Sequence, residues 1–538
     1  MTTQEPVLGL DRSRQSSAIG ATAVFFAGVC VLAALAISTV FLVGIDRGMD
    51  RVLAFGPESD VNSIAVAVTA LVYGEQGYVA YYPVFEALMQ PLQSGAEGPN
   101  DPRILANLRS GDLINEALAK ASSLGPVGSL FVSDGGLRTM VYDDLGTVDY
   151  AKMAFGIFGF KIESLYYLYF SIVALSTLAF LIQFRAKPVA LMLLLCVLGA
   201  FFLETKTGVF NDHQPTFWGH RHGSTLALIP MWHLALLLVF RWRLAPSSLL
   251  VALLQAAILV LAIKMRGSAV WTVVFLCGLS MLLSYRAWRL LPPATRTFWD
   301  LVRPAFKWPL VVSLLCVAAN NAYTDAKLHP AYFTDDIIAH HGAWDVAFLG
   351  MAHSPTLWHR VGGTYDKPLD RVGVEATLAY LQEHRFLRSE AEFVSPWTGT
   401  YKYRMYDDIM KRVFLSHVLA NPFSVIELYL YWKPKRIVEL CISSLATIDA
   451  WSWAIVLLSA TAMALALALA GLCKGAAARS RIVPLLALAA PAFAAMPNLW
   501  AFASPHTLAD VVLSLLVALV FSTSWLLCWR MTKVVSAE

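Results

Sequence analysis

Leu165–Phe184 reads LYYLYFSIVALSTLAFLIQF and, after Arg185-Ala186-Lys187, Pro188–Leu203 reads PVALMLLLCVLGAFFL. Neither run contains Asp, Glu, Lys or Arg. The first has the roughly 20 residues that a helix needs to cross the hydrocarbon of a bilayer. A soluble core helix keeps a polar face, whereas a helix apolar all round belongs in lipid, where each backbone group must bond within its own segment. The basic pair between the runs reads as a short cytoplasmic loop.

Working outward on the same rule gives about ten transmembrane helices, at residues 18–43, 165–184, 188–203, 223–240, 246–263, 268–284, 308–322, 451–472, 482–500 and 508–529. The composition agrees, with 57% hydrophobic and only 14% charged residues, outside the usual range of soluble domains. The apolar run at 18–43 exceeds the roughly 7–15 residues of a signal-peptide core and has no clear small-residue cleavage site, so it reads as a retained helix. The net charge of +4 fits loops that hold orientation, and no nucleic-acid partner is expected from it. The seven cysteines include no CxxC and no pair within one loop, which argues against a disulfide framework or a cysteine zinc site.

Placing residues 1–17 in the cytoplasm makes each short inner loop basic, including Arg185 and Lys187, Arg241 and Arg243, Arg286 through Lys307, and Lys474 through Arg481. The expected order is then an all-α polytopic chain: helix 18–43, a first outer loop at 44–164, helices two to seven within 165–322, a second outer loop at 323–450, three helices within 451–529 and a cytoplasmic tail at 530–538. The expected location is the cell inner (plasma) membrane, and the basic inner loops put both termini in the cytoplasm.

The outer loops carry helical signals of their own. Asp101-Pro102 opens a pattern with Ile104, Leu108, Ile114 and Leu118 near one face. Residues 61–74 are apolar but too short to cross, and read as a buried or interfacial helix after Asp60. A third pattern at 405–420 stops at Asn421-Pro422, and Tyr429, Tyr431 and Trp432 beyond it suggest an interfacial helix. The chain shows no internal repeat, which weakens any reading built on inverted halves.

A charge at the bilayer centre is costly and commonly marks an ion or substrate path. Most of the expected helices contain none, so a proton-coupled transporter is disfavoured; His233 and Asp510 are exceptions and read as satisfied groups at helix ends. Polar residues gather at the outer boundary in four clusters. The first, with Glu58 and Asp60, holds a carboxylate able to take a proton from a hydroxyl, or a helix cap. The second is Tyr142-Asp143-Asp144-Leu-Gly146-Thr-Val-Asp149, where paired acids suit a metal, an acid and base pair, or a solvated turn.

Lys264-Met-Arg266-Gly-Ser268 is the third, an outer hairpin that departs from the positive-inside pattern. Its cations could clamp the phosphate of a lipid-linked donor, or bind headgroups, or pair with acids of the large loops; Gln255 and Trp271 nearby read as packing residues. The fourth runs from Asp212-His213 to His220-Arg221-His222, where ligands for a divalent cation and a further cation alternate with the reading of a hydrogen-bonded surface loop. His340, His341, His353 and His359 invite the same pair of readings.

A first helix, a long outer loop with an early acid, the turn Phe155-Gly-Ile-Phe-Gly159 before the second helix, and Ala503-Ser-Pro-His506 before a helix that opens at Thr507 and Asp510 together resemble the GT-C superfamily of integral-membrane glycosyltransferases. The resemblance implies a polyprenyl-phosphate sugar as donor, a cell-envelope glycan or lipid as acceptor, and an outward-facing site. It also implies an acid of the first outer loop as general base, which maps onto Asp60, or onto Asp143 and Asp144. Lys264, Arg266 and Arg221 are then expected to hold the donor phosphate, with Glu58, His220 and His222 as possible substrate or divalent-cation contacts. The WWDxG signature of oligosaccharyltransferases is absent, which disfavours transfer of a whole glycan to protein. The alternatives are an O-antigen polymerase or ligase, dependent on outer arginines, and a glycolipid transporter or flippase.

Overall fold

The computed structural model describes residues 57–75, 77–80, 145–161, 163–185, 187–207, 223–240, 243–293, 296–333, 342–361, 370–386, 390–393, 402–446, 482–501 and 508–537, with isolated positions elsewhere. Among these residues the chain is helical throughout and has no β-strand. The principal helices are α1 (Pro57–Tyr73), α2 (Gly146–Phe158), α3 (Glu163–Phe184), α4 (Pro188–Thr207), α5 (Leu228–Val239), α6 (Pro246–Met265), α7 (Trp271–Arg289) and α8 (Trp308–Lys327). They continue with α9 (Ala343–Leu349), α10 (Asp370–Glu383), α11 (Tyr403–Ala420), α12 (Pro422–Glu427), α13 (Lys433–Ala446), α14 (Ile482–Ala494), α15 (Met496–Trp500) and α16 (Ala509–Ala537).

Five helical segments among the described residues are long and apolar enough to cross a membrane: Ser164–Phe184, Pro246–Met265, Gly267–Arg289, Ile482–Trp500 and Ala509–Leu527. These are five of the ten expected from sequence. Two more expected segments form shorter apolar helices, Val189–Phe201 and Gly223–Val239, the second opening with a 3-10 turn at Gly223–Ala227. The segment at 308–322 is part of α8, a helix of 20 residues that is long enough to cross but not apolar enough over that length. Residues 18–43 and most of 451–472 lie outside the described residues, as does nearly all of 101–118.

Local chemistry sets several boundaries. α1 starts at Pro57, a residue whose fixed φ and missing N–H suit the first helical position. Glu58 and Asp60 therefore lie inside its first turn, and Asp60 is not the cap expected from the apolar run that follows it. α2 runs through Phe155-Gly-Ile-Phe158 and stops at Gly159, whose φ of 89° excludes most side chains. The stretch read as a turn is thus the last turn of a helix. Gly159 carbonyl accepts from Ser164 Oγ at 2.6 Å, which ties the bend to the start of α3.

The larger core joins α1 and α2 to the apolar bundle, with Trp232, Trp271, Tyr166, Tyr169 and Phe275 among its fully buried large side chains. A hydrogen-bonded knot crosses it. Ser176 Oγ donates to Gln255 Oε1 at 2.6 Å, Gln255 Nε2 donates to the Ser176 carbonyl at 2.8 Å, and His233 Nδ1 lies 3.4 Å from that amide nitrogen. His233 is mid-helix in α5, in contrast to the helix-end place expected for it, and Phe180 and Phe184 meet its ring edge-on. Its Nε2 has no hydrogen-bond partner among the described residues. Gln255 is a hydrogen-bonding group joining α3 and α6, and is not simply packing.

A second, separate core is built from the second outer segment, with Phe348, Phe393, Tyr406, Met410 and Phe414 at its centre. Asp407 accepts from the backbone N–H groups of Trp344 and Asp345 at 3.0 and 3.2 Å, so a carboxylate on α11 satisfies donors at the open end of α9. Tyr406 OH in turn donates to Asp345. This unit docks on the end of α14 and α15: Trp500 Nε1 donates to Ala343 carbonyl at 2.8 Å, and Trp344 packs on Trp500 at 5.4 Å between ring centroids. Lys433 completes the joint from full burial, donating to the carbonyls of Leu499, Trp500 and Ala501 at 2.9, 2.8 and 2.6 Å.

Candidate functional site

Three consecutive residues at the end of α6 organise the polar end of the bundle. Lys264 Nζ lies 2.5 Å from Asp149 Oδ2 and 2.8 Å from Tyr78 OH. The phenol donates to the same carboxylate at 3.0 and 3.2 Å, closing a triangle. The Lys264 side chain is 10% exposed and that of Asp149 28%, so this pair is half-withdrawn from water and stronger than a surface pair. Of the sequence readings left open for Lys264, pairing with an acid of the first outer loop is the arrangement found.

The triangle depends on tight backbone contacts. Gly146, at the start of α2, leaves room for Lys264: a Cβ there would sit 2.3 Å from the Lys264 carbonyl carbon. Gly74, Gly77 and Tyr78 all have positive φ, at 87°, 71° and 65°. Only Tyr78 among them is not glycine, and the left-handed conformation costs it about 1–2 kcal/mol. It is held there by its buried side chain, by Tyr332 OH donating to its carbonyl at 3.0 Å, and by His329 N–H donating to Gly77 carbonyl at 3.0 Å. Strain retained at a residue that touches two charges is a recognised mark of functional positions. Burial first, then the charge of Asp149, holds the Tyr78 phenol above its ordinary range, so it stays protonated and donating.

Around the triangle, Lys152 pairs with Glu75, and Lys327 reaches the same carboxylate at 3.8 Å. Lys152, Lys264 and Lys327 thus share two acids, Glu75 and Asp149, at a rim built from the ends of α1, α2, α6 and α8, where the last turn of α8 also carries Asp325.

Met265 packs its side chain against Gly223, where a Cβ would lie 2.7 Å from Met265 Cε. That places the 3-10 turn beside a second polar group. Asp510, in the first turn of α16, accepts from Ser224 Oγ at 2.9 Å and from Trp271 Nε1 at 3.0 Å, and Arg266 acts on it electrostatically. Asp510 is buried and its partners lie 286 and 239 residues away in sequence. The expectation that Asp510 is a satisfied helix-end group describes its place; the expectation that Trp271 only packs does not describe its hydrogen bond.

Of the residues expected at the site, Lys264 and Arg266 lie in this layer. Asp143, Asp144, Arg221, His220 and His222 lie outside the described residues, and so do Asp212, His213, His340 and His341; Glu58 and Asp60 are placed only as backbone positions of α1. No group of three or more His, Cys, Asp or Glu side chains among the described residues is arranged to hold a metal ion. His353 is engaged differently, its Nε2 accepting from Ala503 N–H at 3.0 Å. Sequence reasoning placed Asp149 in an acidic cluster without naming its partner, and did not assign roles to Tyr78, Glu75, Lys152, Lys327 or Ser224. The local signal for the first of these was the run Tyr73-Gly-Glu-Gln-Gly-Tyr78, whose paired glycines announce a left-handed turn.

Chemically, the layer offers ammonium and guanidinium groups, a protonated phenol and the carboxylates of Glu75, Asp149 and Asp510 at one end of the bundle. Comparison with models of protein families, with characterised proteins and with solved structures found no match.

Proposed function

We propose that the chain is a membrane glycosyltransferase that moves a sugar from a polyprenyl-phosphate donor to a cell-envelope glycan or lipid on the outer face of the inner membrane. The observation that carries the reading is the placing of Lys264 and Arg266 on the connection between two apolar helices of membrane-crossing length, Pro246–Met265 and Gly267–Arg289. A donor whose lipid tail lies beside such helices presents its phosphate at that height, where cations stabilise the leaving phosphate as the glycosidic bond breaks. The attraction is assigned to Lys264 and Arg266, each of which also acts on a carboxylate of the bundle end, and, from the sequence, to Arg221. The base is assigned to Asp60, with Asp144 and Asp143 as the other candidates from the first outer loop, accepting the proton of the acceptor hydroxyl. The resemblance to the GT-C superfamily supports the same donor class. This reading includes about ten crossings and cytoplasmic termini.

One feature favours a second reading. Asp149, the acid of the first outer loop nearest the cations, is neutralised by Lys264, which suits an O-antigen polymerase or ligase that relies on arginine in place of a carboxylate base.

The test is mass spectrometry of surface glycans and polyprenyl-linked sugars from a deletion strain complemented with wild type, with the Asp60→Asn, Asp144→Asn double variant, or with an Arg266→Ala, Arg221→Ala variant. Loss of one sugar with accumulation of its lipid-linked donor, restored by wild type and not by the acid variant, supports the transferase. Restoration by the acid variant but not by the arginine variant moves the assignment to the polymerase or ligase. An unchanged glycan profile in the deletion strain removes both.

A further inference from the structure

We propose that the continuous helix formed by residues 422–446 lies flat in the outer interface of the membrane, its exposed apolar stripe among lipid acyl chains and Lys435 at the headgroup phosphates, and does not cross the bilayer. This stands independently of the transferase reading.

Phe423, Ile426 and Leu430 are 85%, 53% and 76% exposed, and the stripe continues through Val438 and Ile442 at 55% and 61%. The spacing from 423 to 430 is that of one helical face. The opposite face is occupied by protein: Val425 and Leu428 belong to the core of the second outer segment, while Ile437 and Leu440 belong to the core of the main bundle. α13 also packs on α15 and α16, both within segments long enough to cross the membrane. The stripe therefore borders surfaces that already require lipid.

A helix of this length, about 37 Å at 1.5 Å per residue, reaches across a bilayer, so length alone does not set its direction. The charges do. Glu427, Lys435 and Glu439 are distributed along it, with Lys435 and Glu439 exposed at 45% and 51% of their side chains and 3.8 Å apart. In a crossing helix both would fall within about 8 Å of the bilayer midplane, at roughly 2.5–3.5 kcal/mol each. Lying in the plane, the same residues edge an apolar stripe and reach the headgroups. Lys435 sits over the rings of Tyr431 and Trp432 at 5.9 and 5.2 Å, an aromatic and cationic grouping suited to that depth. The bend of 106° at Asn421-Pro422 then carries α11 away from the lipid, along the membrane normal and into the outer unit whose core it supplies.

Bimane on Phe423→Cys and on Ile442→Cys, each in a chain with its seven native cysteines replaced by Ala and with an unchanged thermal melt, measures the depth in vesicles of phosphatidylcholine and phosphatidylglycerol. Quenching by lipids with a nitroxide near the headgroup or deep in the chain should place both labels in the headgroup-to-acyl boundary, within about 10 Å of its surface and at matching depth. A label on Arg412→Cys, on exposed α11, should respond only to aqueous iodide. Labels about 28 Å apart in depth, the length of 19 helical residues, would mean a crossing helix and overturn the proposal. Labels reached by neither lipid nitroxide nor iodide would mean that protein covers the stripe, either another segment of this chain or a second copy, and would overturn it equally.

Discussion

Lys264 and Asp149, 115 residues apart in sequence, meet at 2.5 Å with Tyr78 OH bonded to both. The ion pair ties α2, from the first outer loop, to the end of α6, and it determines how the surrounding charges can be used.

Breaking it should be costly in either direction, because each substitution leaves a half-buried charge without its partner. Lys264→Met and Asp149→Leu are each expected to lower stability in detergent by about 1–3 kcal/mol. The double variant should recover part of this, giving a coupling energy of about 0.5–3 kcal/mol in a double-mutant cycle of thermal or denaturant melts. Strict additivity would show that the pair contributes nothing.

Asp510 is a different case, a buried carboxylate that accepts from two neutral donors and is also acted on by the charge of Arg266. Asp510→Leu strands Trp271 Nε1 and Ser224 Oγ and should cost about 2–4 kcal/mol, while Trp271→Phe should cost less because Ser224 still serves the carboxylate. Melts of the two variants, compared with the double, check the order.

Gly146 and Gly156 lie on one helix and predict opposite outcomes for one change. Gly146→Ala drives a methyl into the backbone of Lys264 and Met265 and should abolish the folded state or detach α2, as seen by protease sensitivity of the first outer loop. At Gly156 an added Cβ meets nothing within 4 Å. Gly156→Ala should stabilise by roughly 0.4–1 kcal/mol.

Burial lowers the pKa of His329, beside the strained turn. Since the folded value lies below the unfolded one, the contribution is fully present above about pH 6.5 and is lost as pH falls from there through the folded value. Melts of wild type at pH 7.5 and 5.5 should therefore differ by more than those of His329→Gln, and equal differences would dismiss the effect.

Five helices of membrane-crossing length were legible because an apolar run of that length needs no partner to be recognised: Ser164–Phe184 and Ala509–Leu527 announce themselves residue by residue. α1 was legible as a helix and misjudged in its start, since Pro57 opens it and Asp60 looked like the cap. The polar layer was only half visible. Lys264 and Arg266 stood out by breaking a charge rule, but the partners that fix their roles come from distant sequence, as with Ser224 and Asp510 across 286 residues. Nothing local in Trp271 distinguishes a hydrogen-bond donor from a packing residue. His233 illustrates the same limit: its placing beside Gln255 depends on how α5 and α6 cross, which periodicity does not encode.

The three carbonyls that receive Lys433 lie 66 to 68 residues further along the chain. During synthesis at roughly 5–20 residues per second, the ammonium waits about 3–14 s before its partners exist. Until then it must remain hydrated, and the joint between the outer unit and the bundle cannot close. Assembly is therefore ordered by translation itself: the unit with the second core can acquire that core first, but its seating on the apolar bundle is delayed until Ala501 has been made.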